Sequence, residues 1–319
     1  MGSKKKFDFK FLGFVLLVIL AFNLSAIITF FLRFNMLMQR PYSRISVKWS
    51  DEVGKIYNDL PVGDGKVLYD LYVPEGLDSS AKQHLVMYIH SGNFSSGDKD
   101  DAVFIGRYLA SKGYIMAAVN YTPVDESKGF GVDDAVNELY GTADTVVKKC
   151  KELGYDIENM AVCGEYAGGT LALLYGSRAP EKSPVPVVLV FEQTGPTSFD
   201  PEKWGYQGEE AVSLVNMMTG SSFTVDDIGS DAYIKAYKEI SPDNYTGADH
   251  VPVIMAYGLK DKIVPSAMAS EYSGALKKAG VDAVLIEFPK SGHLMIQDKD
   301  KNVLYYDTVD SYLEKYMLK

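Results

Sequence analysis

The chain has 319 residues, of which 47% are hydrophobic and 23% are charged, and its formal net charge is −10. This composition is typical of a globular protein with one large domain and room for an appendage. The acidic balance argues against a nucleic-acid partner, because such a partner requires a basic surface. Two cysteines and four dispersed histidines have no disulfide-framework or metal-site spacing, so we expect no metal.

The N-terminal stretch predicts a membrane anchor. Residues 1–10 form a basic tail with four lysines, and residues 11–32 contain no charged side chain. A helix over 11–32 is about 33 Å long, which is enough to cross a bilayer. The lysine cluster favours a single-pass protein with a cytoplasmic N-terminus and an exported domain.

A cleaved signal peptide is the competing interpretation of the same stretch. Its apolar region is usually shorter and ends in small residues. The run here ends in two phenylalanines, Leu32 and Arg33, which make a poor cleavage site, although Leu24-Ser25-Ala26 keeps this alternative open. Residues 33–50 are then a polar connector to a domain over 51–319.

From residue 51 onward, short apolar runs alternate with helical segments. Two strands flank the turn Gly63-Asp64-Gly65, which has the composition of a hairpin. The predicted strands are 55–57, 66–73, 85–89, 114–120, 161–163, 185–191, 253–257 and 283–288. The predicted helices are 100–112, 133–154, 167–178, 266–279 and 303–318. Continuous apolar strands between helices predict an α/β fold, with a mostly parallel sheet covered on both faces.

Residues 196–245 interrupt this alternation. They contain Trp204, Met217, Met218, Phe223 and several tyrosines, but no strong strand pattern. We interpret them as an inserted cap over the carboxyl ends of the strands, where open α/β sheets place their ligand crevice. A plain surface insertion is the equal alternative, because long insertions are not always lids.

Residues 161–170 read as a buried strand, a sharp turn and the first turn of a helix. Gly164, Gly168 and Gly169 remove side chains where the strand must reverse tightly into the helix. The spacing Gly-x-Tyr-x-Gly is that of the nucleophile elbow, Gly-x-Ser-x-Gly. The apex residue, however, is Tyr166 rather than serine.

Four motifs in the order of one family carry a resemblance. They are His90-Ser91-Gly92-Asn93-Phe94, Gly164-Glu165-Tyr166-Ala167-Gly168-Gly169, the stretch 258–265 around Asp261, and Ser291-Gly292-His293. With them, the chain from about residue 51 resembles the α/β-hydrolase superfamily, in particular esterases and lipases of the hormone-sensitive-lipase and ferulate-esterase-like branch. The resemblance implies an α/β-hydrolase fold and hydrolysis of carboxylic esters without metal or organic cofactor. The expected ligand is a small ester or ester-like molecule.

The resemblance also implies a role for each matching residue. Asp261 and His293 follow late strands at the crevice, where a carboxylate can orient an imidazole that exchanges protons near neutral pH. The main-chain amides of Ala167 and of Gly92 or Asn93 would form the oxyanion hole. Tyr166 occupies the nucleophile position.

Tyrosine at the apex leaves three hypotheses for function. Its oxygen lies further from the backbone than a serine oxygen, its ring fills the acyl space, and its ordinary pKa is near 10. The first hypothesis is a protein of hydrolase ancestry that is impaired in acyl transfer and binds a ligand in the old pocket. The second is an active esterase that uses Tyr166, His293 and Asp261, or an activated water. The third is an interaction protein that uses only the surface of the fold.

Overall fold

The computed structural model describes residues 17–32 and 45–318. The chain divides into two units, residues 1–43 and residues 44–319. In the first unit, residues 17–32 form helix α1. The predicted basic tail, the first part of the predicted span 11–32 and most of the connector 33–50 lie outside the described residues. Within the described part of the chain, no helix combines the length and the apolar character needed to cross a membrane.

The second unit is built on one sheet of eight strands in the order β1-β2-β4-β3-β5-β6-β7-β8. The first two strands are antiparallel to their neighbours, and every later pairing is parallel. The strands are β1 (Gly54–Val62), β2 (Val67–Pro74), β3 (Lys82–Ile89), β4 (Ile115–Val119), β5 (Asp156–Glu165), β6 (Val187–Gln193), β7 (Val253–Gly258) and β8 (Ala283–Phe288).

Helices connect the parallel strands and cover the two faces of the sheet. They are α2 (Val103–Ser111), α3 (Val132–Glu152), α4 (Ala167–Ser177), α5 (Pro201–Trp204), α6 (Glu209–Thr219), α7 (Asp231–Glu239), α8 (Ser266–Lys278) and α9 (Lys299–Met317). The central strands are apolar along their length, and β4 and β7 are buried at every residue. A sheet that is covered on both faces requires such continuous apolar strands. The predicted α/β class with a mostly parallel sheet is confirmed.

The structure departs from the predicted elements mainly at their ends. Strand β1 is longer than the predicted run 55–57, because a bulge between Tyr57 and Leu60 lets the strand continue its pairing with β2. Asp59 in this bulge has a positive φ of 53°, and its amide donates to the buried carboxylate of Asp70 at 2.8 Å. The helix predicted from residue 100 starts as the 3₁₀ turn Lys99–Ala102 before α2 begins.

The segment 196–245 is helical. It contains α5, α6 and α7 and lies between β6 and β7. Because β6 and β7 are adjacent parallel strands, their connection leaves the sheet at the carboxyl end of β6, which is the edge where β5 ends in the Tyr166 turn. The three helices therefore have access to the same edge as that turn.

Candidate active site

Tyr166 lies at the apex of a strained turn between β5 and α4. Its backbone has φ 49° and ψ −110°, which a non-glycine residue adopts only when the surrounding structure holds it there. Its amide donates to the carbonyl of Gln193 at 2.8 Å, and its carbonyl accepts from Thr170 at 3.0 Å. The turn is thus fixed on one side to the end of β6 and on the other to the first turn of α4.

Two glycines allow this turn to form. A Cβ atom on Gly168 would lie 2.0 Å from the carbonyl oxygen of Ile89, and a Cβ atom on Gly164 would lie 2.4 Å from the backbone of Gly168. No side chain fits at either distance, because carbon and oxygen normally stay more than about 3 Å apart. The glycine spacing in the sequence therefore reflects the contact of α4 with the end of β3.

Asp261 and His293 form a hydrogen-bonded pair on two neighbouring loops. The Oδ2 atom of Asp261 lies 2.8 Å from Nδ1 of His293, and the carboxylate is completely shielded from solvent. Its Oδ1 atom accepts from the amides of Ile263 and Val264 at 2.7 and 3.0 Å. Burial raises the pKa of Asp261, but the hydrogen bonds from His293 and the two amides outweigh it and hold the pKa below its ordinary value. The carboxylate is therefore ionised at neutral pH and fixes the orientation of the imidazole.

The loops that carry this pair are joined to each other. The amide of Lys260 donates to the carbonyl of Ser291 at 2.9 Å, and a Cβ atom on Gly258 would lie 2.3 Å from the carbonyl of Gly292. Ser291 is buried and donates to Asp298 at 2.6 Å. Asp298, which was not among the predicted site residues, is the N-cap of α9 and holds the histidine loop. An aspartate directly before a helical segment is the sequence signal that marks a helix N-cap of this kind.

Tyr166 contacts both the histidine and the loop after β3. Its ring lies edge-to-face against the imidazole of His293, with centroids 4.9 Å apart and an interplanar angle of 89°. Its hydroxyl donates to Oδ1 of Asn93 at 2.8 Å. Burial, with a further contribution from the charge of Asp261, raises the pKa of Tyr166. The phenol is therefore protonated at neutral pH, and its proton is directed to Asn93.

The residues predicted for an oxyanion hole lie around the same turn. Gly92 and Asn93 have positive φ values of 110° and 55°, and a Cβ atom on Gly92 would lie 1.9 Å from the carbonyl of Ser96. Asparagine tolerates the left-handed conformation better than most residues, which explains its presence in a tight loop. Ala167 is the first residue of α4, where main-chain amides have no intrahelical acceptor. Asn93 was predicted only to donate its main-chain amide, and its side-chain bond to Tyr166 was not predicted.

A cavity of about 680 Å³ opens beside Tyr166. Helix α6 and the segment around α5 supply much of its wall, so the insertion borders the same cavity as Tyr166. The lining is largely apolar and aromatic, with two glutamates and one lysine among it; it includes Asn93, Phe94, Phe199, Trp204, Tyr206, Glu209, Glu210, Leu214, Met217, Met218 and Lys262. A pocket of this size and composition suits a small organic ligand.

Glu192, on β6, is a buried carboxyl group that was not among the predicted site residues. Its Oε2 atom accepts from the amide of Gly195 at 2.7 Å, and a Cβ atom on Gly169 would lie 2.8 Å from this oxygen. Its Oε1 atom has no hydrogen-bond partner among the described residues. Burial raises the pKa of Glu192 to about 8, although the hydrogen bond from the amide of Gly195 acts in the opposite direction. The side chain is therefore mostly neutral at pH 7.

Residues that could hold a metal are not grouped at this site. Across residues 17–32 and 45–318, no three His, Cys, Asp or Glu side chains are arranged to bind a metal ion.

A protein-family model described as BD-FAE matches residues 69–276, which is more than half of the chain. The chain belongs to the BD-FAE family. The matched region runs from β2 to α8 and contains Asn93, Tyr166 and Asp261, whereas His293 lies beyond its end.

Curated relatives of this BD-FAE protein include hydrolytic enzymes. Esterase LipI of Mycobacterium tuberculosis is 27% identical over 120 residues, which cover 37% of each chain. The acylamino-acid-releasing enzyme of Arabidopsis thaliana is 27% identical over 69% of this chain and 31% of its own length. A probable isoprenylcysteine alpha-carbonyl methylesterase of rice is 22% identical over 76% of this chain and 58% of its own length. The matches thus span about a third to three fifths of these relatives.

Solved structures agree with the fold. The native thermophilic esterase 2 of Thermogutta terrifontis superposes with a TM-score of 0.66 at 19% identity, covering 82% of this chain and 92% of that one. Its butyrate-bound form gives the same score. This BD-FAE protein therefore has the α/β-hydrolase fold and descends from esterase- or lipase-type hydrolases.

Proposed function

We propose that this BD-FAE protein binds a small ester or ester-like ligand beside Tyr166 and is impaired in acyl transfer, because tyrosine stands where the esterases of its ancestry use serine. The cavity of about 680 Å³, with its largely apolar lining, supports the binding role. The intact Asp261–His293 pair supports the ancestry, since it retains the orienting contact of a hydrolase.

One observation carries the proposal. The hydroxyl of Tyr166 donates to Asn93 at 2.8 Å, while the contact of Tyr166 with His293 is an edge-to-face contact between the two rings. A nucleophile must hydrogen-bond to the base that takes its proton. The tyrosine proton is therefore directed away from the base, and the raised pKa of Tyr166 keeps that proton in place at neutral pH.

The substitution Tyr166→Ser tests this proposal. Serine shortens the side chain and frees the space beside His293. We expect the variant to hydrolyse short-chain p-nitrophenyl esters with a kcat/KM about 100-fold or more above that of the natural chain, since loss of a serine nucleophile from a working triad costs on the order of 10⁶-fold. The double variant Tyr166→Ser/His293→Ala should lose this gain.

The ester turnover of the natural chain gives a second test, which can refute the proposal. Tyr166→Phe keeps the ring and removes only the hydroxyl, so it is the matched control for a nucleophilic tyrosine. Brisk turnover by the natural chain that disappears in both Tyr166→Phe and His293→Ala would refute the proposal. A covalent adduct on Tyr166 after treatment with a fluorophosphonate would refute it as well.

The second candidate function is hydrolysis through water. It is favoured by the buried, ionised Asp261, which orients His293 even though the residue at the apex of the turn is not a serine. In this case His293 removes a proton from the water molecule that attacks the ester. Natural turnover that survives Tyr166→Phe but disappears in His293→Ala would select this candidate.

We also propose that the chain is anchored in a membrane through residues 11–32, with its N-terminus in the cytoplasm and its hydrolase-type domain exported. The uncharged run over residues 11–32 supports the anchor, because a helix of this length would cover the hydrocarbon core of a bilayer. The full chain should then stay in the membrane fraction after carbonate extraction, whereas a chain starting at residue 45 should be released. Alkaline phosphatase fused to the C-terminus should be active only if the domain is exported. Release of the full chain, or cleavage within residues 11–32, would contradict the anchor.

A further inference from the structure

Two loops leave the same edge of the sheet side by side. They follow β7 and β8, which pair at their ends through Gly258 and Phe288. The first loop begins with a turn in which the amide of Asp261 donates to the carbonyl of Gly258 at 3.1 Å. The second contains a turn in which the amide of Met295 donates to the carbonyl of Gly292, also at 3.1 Å. The central residues of such turns lie at the outer end of the loops.

Large aliphatic side chains are exposed on both loops. Leu259 is 43% exposed, Ile263 52% and Leu294 67%. Ile263 also lines the cavity beside Tyr166, so the exposed apolar surface reaches the mouth of that cavity. A single exposed aliphatic side chain is ordinary, but several on adjoining loops indicate a surface that binds a membrane or a partner.

Three exposed lysines lie among these aliphatic residues. They are Lys260, Lys262 and Lys290. The ammonium groups of Lys203 and Lys315 contact carboxylates at 2.9 and 2.7 Å, whereas none of these three forms an ion pair with a described residue. Their charges are therefore available to an anion outside the chain. We call the three lysines and the three aliphatic residues the loop surface.

The loop surface is basic although the chain as a whole has a net charge of −10. Within residues 258–264 and 287–295, the one exposed acid is Glu287. Asp261 is shielded from solvent and paired with His293, so it does not neutralise the lysines at the surface. Mixed lysines and aliphatic side chains match the surface of a bilayer, where lipid phosphates lie next to hydrocarbon. These side chains stand on turns rather than along a groove, which suits a fluid bilayer better than the closely packed face of a protein partner.

We propose that the loop surface binds a bilayer that contains anionic lipids. The three lysines contact lipid phosphates, and Leu259, Ile263 and Leu294 enter the headgroup region. Because Lys262 and Ile263 also line the cavity beside Tyr166, the mouth of that cavity then faces the lipid. This binding depends neither on the proposed anchor nor on whether the cavity is catalytic.

A fluorescent dye on the loop surface tests the proposal. Leu294→Cys places a thiol on the second turn, and the natural cysteines, Cys150 and Cys163, are buried, so a thiol-reactive dye labels position 294. The labelled full chain is combined with nanodiscs of phosphatidylcholine, with or without phosphatidylglycerol. With phosphatidylglycerol we expect a blue shift of the emission, quenching by brominated acyl chains, and a docking constant about tenfold or more higher than without it. This difference should disappear at about 1 M salt, where the Debye length is about 3 Å.

Substitutions locate the binding. The triple variant Lys260→Gln/Lys262→Gln/Lys290→Gln should lower the docking constant about 30-fold or more, since each lysine near an anionic surface contributes about fivefold. The matched control replaces three exposed lysines at the C-terminal ends of α3 and α8, which are Lys151, Lys277 and Lys278. These helix ends precede β5 and β8, so they lie at the opposite edge of the sheet and their replacement by glutamine should leave docking unchanged. Thermal melting of each variant establishes that it is folded.

Three outcomes would overturn the proposal. The first is the same dye response with and without phosphatidylglycerol. The second is no dye response in either lipid, which would leave a protein as the partner of the loop surface. The third is an equal loss of docking in the two triple variants, which would assign the effect to net charge rather than to these loops.

Discussion

The hydroxyl of Tyr166 and the side-chain oxygen of Asn93 lie 2.8 Å apart, and their hydrogen bond joins the turn before α4 to the loop after β3. A side chain from each of these segments therefore bonds to the other at the place predicted for the oxyanion hole.

A double-mutant cycle measures this contact. Tyr166→Phe removes the hydroxyl alone, and Asn93→Gly removes the acceptor while tolerating the positive φ of 55°. Because the bond is partly exposed, we expect a coupling energy of about 0.5–1 kcal/mol in the free energy of unfolding. Urea titration of the four proteins gives this value. A coupling near zero would mean that the bond contributes nothing to holding the two segments together.

The close contact at Gly168 predicts that an added methyl group destabilises the folded protein, whereas the same change at an open glycine does not. Gly168→Ala places a Cβ atom 2.0 Å from the carbonyl oxygen of Ile89, so α4 must move away from β3. We expect a loss of about 2 kcal/mol or more in the free energy of unfolding, the range of overpacked sites.

Gly141→Ala is the matched control for that substitution. Gly141 lies within α3, and a Cβ atom there would have no neighbour within 4 Å. Alanine is the better helix former, so this variant should gain about 0.5–1 kcal/mol. Similar unfolding free energies for the two variants in urea would show that the contact between α4 and β3 relaxes without cost.

The amides that bind Asp261 predict the result of replacing it by asparagine. Ile263 and Val264 donate to one oxygen of this side chain, so the carbonyl oxygen of the introduced asparagine would keep that position and its NH₂ group would face His293. The imidazole would then hold its proton on Nε2 and could not accept one from a nucleophile. In the Tyr166→Ser background, we expect Asp261→Asn to lower kcat by about 10²-fold or more.

The control for Asp261→Asn is Asp226→Asn, which removes the same charge from an exposed position. Ester turnover is measured for both variants under the same conditions. If the two substitutions had the same small effect, His293 would not depend on Asp261 for its orientation.

The sequence predicted the strands and the turn that carry the site better than it predicted the contacts between their side chains. Apolar runs identified the strands, because a strand that is buried on both faces has no polar side, and the glycine spacing around Tyr166 marked the tight turn. The bond between Tyr166 and Asn93, however, depends on how two loops 73 residues apart meet, and no local pattern encodes that meeting. The same holds for the walls of the cavity beside Tyr166. They arise in part from the packing of α5 and α6, whose positions follow from tertiary contacts rather than from periodicity.

Glu192 predicts how stability depends on pH. Burial raises its pKa to about 8 in the folded protein, from an ordinary value of 4.5. Between these two values the folded chain holds a proton that the unfolded chain releases, so stability falls as the pH rises, by up to about 1.4 kcal/mol per pH unit. The contribution of protonated Glu192 to the free energy of unfolding is complete below its ordinary pKa. It is lost as the pH rises through the pKa that Glu192 has in the folded protein.

The neutral isostere Glu192→Gln should remove this part of the pH dependence. Relative to the natural chain, the variant should therefore be more stable at about pH 8 than at about pH 5.5, because the natural chain loses the contribution of Glu192 over this interval. Urea unfolding at the two pH values measures the difference. The exposed Glu314, replaced in the same way, serves as the control and should leave the slope unchanged. Equal slopes for the natural chain and Glu192→Gln would mean that Glu192 is ionised in the folded protein and has a partner for its Oε1 atom.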